Sequence, residues 1–228
     1  MWDEAMAQPS PARAVTLLHA AWPESAAGGW VSASIGDRDR ALLRLREQLF
    51  GSRVEATARC PNCGQRLEMS FTVADITSPP PSDMAYPRRL SMDGYELSYR
   101  APTTADLLAL GAGGGAVDLL ERCVEALHAG ERFDCRRLPE AVTQAVSDAM
   151  AAADPQADVQ VEMDCPGCAH RWNATFDILS FLWGEIEDWA AIALREVHAL
   201  ASAYGWTERE VLSLSPRRRR IYLEMVGG

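Results

Sequence analysis

Cys60-Pro61-Asn62-Cys63-Gly64 recurs 105 residues later as Cys165-Pro166-Gly167-Cys168-Ala169. The match extends past the cysteines at the same offset: Val54 meets Val159, Arg66 meets Arg171, and Phe71 meets Phe176. After each pair the apolar residues alternate, as Leu67, Met69, Phe71, Val73 and as Trp172, Ala174, Phe176, Ile178. Alternation with period two predicts a half-buried strand. Val54, Ala56, Ala58 and Val159, Val161, Met163 predict a strand before each pair. Each module therefore reads as strand, knuckle, strand, with the cysteines in the turn.

One CxxC turn supplies two thiolates, and a tetrahedral zinc site needs four ligands. Two knuckles facing each other complete a closed site, so Cys60, Cys63, Cys165 and Cys168 are the expected ligands of one structural Zn2+. The halves are separated by 101 residues, which must loop out between them. Cys-Pro-x-Cys also occurs in thiol oxidoreductases, where the first cysteine starts a helix whose N-terminus lowers its pKa. Here strand follows each pair, and two matched copies suit one metal better than two redox centres.

Outward from the modules, the expected fold is α+β. It is a discontinuous zinc ribbon with a mainly helical insert and helical ends. The expected division is a helical segment at 1–52, the first half-ribbon at 53–77, the insert at 78–158, the second half-ribbon at 159–178 and a helical segment at 179–228. Asp37 and Asp39 ahead of Leu42, Leu43, Leu45, Leu49 and Phe50, with Gly51 behind, predict an amphipathic helix with an acidic start and a glycine stop. The insert opens on a stiff linker, Ser78-Pro79-Pro80-Pro81. Tyr95–Tyr99 alternates as a strand, Thr103 and Asp106 form a capping-box-like start, and helices are expected at 104–110, 116–128 and 139–152. In the tail, Thr207-x-x-Glu210 is a capping box, Ser215-Pro216 an N-cap with proline at the first helical position, and Gly205 a stop between helices.

Composition narrows the function. The 228 residues are 48% hydrophobic and 24% charged, as in globular proteins, and the formal charge is −10. Such a balance disfavours non-specific nucleic-acid binding. No apolar run reaches the ~18 residues that cross a bilayer, so membrane insertion is not expected. Met1-Trp2-Asp3-Glu4 lacks the basic start of a secretory signal, and the expected location is the cytoplasm, where thiols stay reduced.

Other candidates have plainer readings. His170 matches Gln65 of the first module and reads as a turn residue. Cys123 and Cys135 lack CxxC spacing and read as small buried hydrophobes. His19, His128 and His198 are scattered and offer no catalytic arrangement. Gly111-x-Gly113-x-x-Ala116 follows a helical stretch instead of a strand and reads as a loop. On the tail helix Leu182, Ile186, Trp189, Ala193 and Val197 form the expected core stripe. Trp206, Leu212, Leu214, Ile221 and Leu223 would pack a terminal hairpin. Arg217–Arg220 suits a solvated face, an acidic partner or nucleic acid.

The order of motifs resembles a known group. Ser34-Ile35-Gly36-Asp37-Arg38-Asp39 leads into Leu42–Gly51. The CPxCG knuckle, Arg100-Ala101-Pro102-Thr103 with Asp106-Leu107-Leu108, and the second knuckle follow. Glu196–Leu200, Tyr204-Gly205-Trp206, Glu210–Leu214 and Arg218–Leu223 close the series. This resembles the baseplate hub assembly chaperone-like proteins of contractile phage tails, relatives of which accompany phage-tail-like contractile injection systems. The resemblance implies a non-catalytic cytoplasmic assembly factor or minor baseplate component. Its partners would be baseplate, hub or spike proteins. It implies no catalytic residues. Two other classes are compatible with the residues: a zinc-ribbon nucleic-acid-binding regulator using the terminal helices, and a thiol oxidoreductase.

Overall fold

The computed structural model describes residues 2–26, 29–80 and 86–227. Pro81 of the expected linker lies outside them. The chain divides into two units, Met1–Leu179 and Ser180–Gly228.

The first unit begins with helices α1 (Trp2–Met6), α2 (Ser10–Ala21), α3 (Gly29–Ser32) and α4 (Ile35–Phe50). α4 starts where the Ser34 side chain accepts from the Asp37 N–H at 3.1 Å, and it stops at Gly51, whose φ of 88° suits glycine. Asp39 departs from its expected place at an acidic helix start. It is buried against buried Arg38, with Nη2 and Oδ1 2.7 Å apart. Another buried carboxylate caps the helix from far away. Asp154 Oδ2 accepts the Gly36 N–H at 2.9 Å, and a Cβ on residue 36 would lie 1.8 Å from Asp154 Oδ1. Only glycine leaves room for that cap.

β1 (Arg53–Arg59) and β2 (Arg66–Thr72) form an antiparallel hairpin, and β7 (Gln160–Asp164) and β8 (Arg171–Thr175) form another. Between them lie β3 (Arg88–Met92), β4 (Tyr95–Tyr99), α5 (Thr104–Leu110), α6 (Ala116–Cys123), β5 (Val124–His128), β6 (Glu131–Phe133) and α7 (Glu140–Ala153). The expected helix over 116–128 is corrected. It ends at Cys123, and Val124 and Ala126 alternate as buried strand residues. A β-branched residue at 124 and the pairing of β5 against β4 override helical continuation, and Ala129-Gly130 turns the chain into β6. The insert is thus helices around a four-stranded antiparallel sheet in the order β3-β4-β5-β6, of which the sequence reading found β4 alone. Its core joins Leu97, Tyr99, Val124 and Ala126 of the sheet to Val142, Val146 and Met150 of α7.

Two features close the insert at its base. Gln156 is buried, accepts the Ser78 N–H at 2.6 Å and donates to the Ile76 carbonyl at 3.2 Å. The chain therefore leaves and re-enters at one place. The second feature is Asp106, which receives both guanidinium nitrogens of Arg100 (2.6 and 2.9 Å), Arg122 Nε (3.1 Å) and the Thr103 hydroxyl (2.8 Å). These charge-assisted bonds hold its carboxyl well below the usual range.

The second unit carries most of α8 (Ile178–Tyr204), then α9 (Glu208–Ser213) and α10 (Pro216–Gly227). Gly205 at φ 70° ends α8, and Thr207 with Glu210 forms the capping box of α9. The expected stripe on α8 holds except at Trp189: Leu182 is buried and Ile186, Ala193 and Val197 are half-buried. Trp183 is buried and hydrogen-bonded to Glu187, whereas Trp189 is 57% exposed. The expected hairpin packing changes too, since Leu212 and Ile221 are exposed. Leu214 and Leu223 are half-buried as expected, and Trp206, also expected, clusters with Tyr204 and Tyr222. Among the described residues no helix is long and apolar enough to cross a membrane.

Candidate metal centre

The knuckle turns are built alike. In the first, the Cys60 N–H donates to the Gln65 carbonyl at 2.9 Å, and the Gly64 N–H donates to the Cys60 carbonyl at 2.9 Å. In the second, Cys165 donates to His170 at 2.9 Å and Ala169 to Cys165 at 2.8 Å. Residues 64 and 169 both take positive φ, 74° and 56°. This conformation is free for glycine and strained for alanine. The hairpin registers match at the same offset, with Arg59↔Arg66 flanking one turn and Asp164↔Arg171 the other.

The repeat is a pseudo-twofold in space as well as in sequence. Cys60 Sγ lies 3.6 Å from Cys168 Sγ, and Cys63 Sγ lies 3.6 Å from Cys165 Sγ. Under the 105-residue offset each of these pairs maps onto the other. Phe71 and Phe176, themselves counterparts, meet edge to face at 5.4 Å and 85°. The two hairpins belong to separate two-stranded sheets. Sulfurs and this aromatic pair therefore join them where a strand ladder does not.

The structure brings together all four cysteines that the sequence singled out, with their sulfurs within 4.8 Å of one another. Four thiolates about 2.3 Å from a central metal define tetrahedral edges of about 3.8 Å. The 3.6 Å pairs match that edge. The cluster could hold a metal ion. Cys60 and Cys165 are buried, while Cys63 is exposed. The four close sulfurs compete for protons. Asn62 and the His170 N–H stabilise the Cys168 thiolate and bring it down to about 6. The Gln65 N–H also favours the Cys63 thiolate, but contacts from Cys168, Cys165 and Cys60 outweigh it and push that thiol up to about 12. A divalent cation would replace those shared protons.

Each CxxC is followed by a strand, β2 or β8, so no helix N-terminus lies behind the first cysteine. The His170 ring stacks on Trp172, 5.9 Å between centroids, and is not part of the four-cysteine group. Cys123 is buried and its thiol is pushed up to about 11 by that burial. Cys135 donates to the Val124 carbonyl and is likewise raised by burial. Gly111–Gly113 continues α5 as a single 3-10 turn.

One contact escaped sequence reasoning. Gln65 Oε1 reaches across to Cys165 Sγ at 3.7 Å, and a Cβ at Gly167 would lie 2.0 Å from that oxygen. The departure from the repeat at both places, Gln65 against His170 and Gly167 against Asn62, was the available signal. The two motifs at 34–39 and 100–106 also meet: Ser34 bridges Thr103, and the Ile35 N–H donates to the Pro102 carbonyl at 3.0 Å.

These elements define a mixed helix and sheet protein with a four-cysteine cluster between two of its hairpins. The family model of the T4 bacteriophage base plate protein matches residues 24–183. The span takes in both knuckles and the entire insert, and the chain belongs to this family. It is a phage baseplate-related protein. No curated protein and no solved structure matches it.

Proposed function

We propose that this chain is a non-catalytic assembly factor for the baseplate or hub of a contractile, phage-tail-like injection system, working in the cytoplasm before the particle is complete. Its partners are baseplate, hub or spike proteins. The observation that carries this reading is the family match, which spans the hairpin pair together with its insert. Cys60, Cys63, Cys165 and Cys168 hold one Zn2+, making the hairpins a discontinuous zinc ribbon. A four-thiolate donor set suits zinc or iron, and zinc adds no redox chemistry to a structural staple. Four protein ligands leave no open position for substrate. A cavity of about 580 Å³ beside α4 is lined by Trp22, Trp30, Asp37, Arg40, Arg44 and Glu47 among others.

Native mass spectrometry of the chain purified from its own host tests both parts. The expected result is one zinc per chain and a co-purifying baseplate or hub subunit. A metal-free chain with reversible disulfides would overturn the zinc staple. Duplex DNA as the companion would overturn the assembly role and point to a regulator.

A further inference from the structure

The last helix offers an unpartnered face whose orientation is fixed by its other side. In α10 the Arg219 Nε lies 2.8 Å from Glu196 Oε2 of α8. Three residues on, Tyr222 packs edge-on against Trp206 at 4.9 Å. These two contacts set the rotation of α10 about its axis. Arg217, Ile221 and Met225 follow at intervals of four on the opposite side, which makes them a single stripe. Ile221 is 42% exposed and Met225 66%. Arg217, Arg218 and Arg220 are exposed and make no ion pair among the described residues.

We infer that this stripe is a helix-in-groove docking element, and that its occupant is a partner protein with an apolar groove rimmed by carboxylates. The inference rests on the assembly reading above and names its contact surface. Anchors at i, i+4 and i+8 are how an amphipathic helix is read by a groove. The cations stand at the N-terminal end of α10, where the helix dipole disfavours them. Acidic groups on a partner would offset that cost and give charge complementarity. The chain as a whole carries −10, so the cations mark a local reversal of sign. Glu224 lies beside the stripe and is exposed. It would be repelled by an anionic bilayer or a phosphate backbone, and it favours protein as the partner.

The test uses the full-length, zinc-loaded chain against each baseplate protein of its own particle, purified singly, by biolayer interferometry. Wild type is expected to bind one of them. Ile221→Asp with Met225→Asp should weaken that binding about 30-fold or more, as loss of central anchors does. Arg217→Gln with Arg218→Gln should slow association about tenfold at low salt and remove most of the salt dependence. Unchanged far-UV circular dichroism and zinc content show that the variants fold. If the aspartate variant does not fold, the glutamine variant decides. Wild type binding none of the baseplate proteins would overturn the assembly reading itself. Binding untouched by both variants would overturn the role of α10 alone. Binding to duplex DNA or phosphatidylserine vesicles that the glutamine variant abolishes, with baseplate binding intact, would reassign the face and also overturn it.

Discussion

If the four cysteines hold a metal as proposed, removing it should open the two hairpins while leaving the insert folded. The hairpins share no strand ladder, and a two-stranded ribbon alone is marginal in water. β2 contains no buried residue, and β1 contains only Val54. Away from the sulfurs, the hairpins touch through Phe71 and Phe176, a contact worth roughly 0.5–1.5 kcal/mol beyond its buried area. A structural zinc contributes an apparent ~10–16 kcal/mol in small zinc domains. If the ribbon keeps even about 4 kcal/mol of that, its amides are protected about a thousandfold more with metal than without. The insert has its own core of Leu97, Val124, Val142 and Val146 and needs no metal. The assay is hydrogen exchange with mass readout on the full chain, before and after chelation, and on Cys165→Ser. Peptides over 53–72 and 160–175 should lose protection, while 95–99, 124–128 and 140–153 keep theirs. Hairpins that stay protected after the metal leaves would refute the reasoning. So would a Cys165→Ser chain that binds metal as tightly as wild type.

Three further outcomes follow from the same geometry. Burial pushes the Asp39 carboxyl up to about 6 despite the opposing Arg38 charge, so the folded state holds its proton more tightly than the unfolded chain. Stability from this group is therefore present at acid pH and lost as pH rises from about 4 to about 6, by at most ~3 kcal/mol. Asp39→Asn should flatten that slope in urea-unfolding midpoints taken across pH 4–7. A double-mutant cycle of Phe71→Ala and Phe176→Ala should give a coupling of about 0.5–1.5 kcal/mol by thermal unfolding, and independent effects would show that the pseudo-twofold contact is not formed. Ala169→Gly should stabilise by up to ~1 kcal/mol and Gly64→Ala should destabilise by a similar amount, because both positions have positive φ. Denaturant midpoints moving the other way would exclude matched knuckle turns.

The legible parts of this molecule were those written in short spacing. The CxxC pairs, the alternation on either side and the constant offset announced two like hairpins and four cysteines fit for one site. Capping residues at Ser34, Thr103 and Thr207 marked helix starts, because an N-cap acts within one turn of the chain. The offset between modules also made the Phe71–Phe176 meeting legible as counterparts, though not as a contact.

What remained was decided by groups distant in sequence. Cys123 to Val124 changes from helix to strand because β4 offers a partner, and pairing energy is invisible in the segment itself. Asp39 looked like a helix-start acid until the fold buried it with Arg38, and a second cap of α4, beside Ser34, came from Asp154, 118 residues away. Trp189 has the spacing of a core residue, yet the side of α8 that is covered is settled by what packs on it, and periodicity alone cannot choose. By itself the sequence determined the local turns, the repeat and the donor atoms. Only tertiary structure decided that the two halves face each other with their four sulfurs within 4.8 Å, because closing a loop of 101 residues depends on the insert folding so that its ends meet.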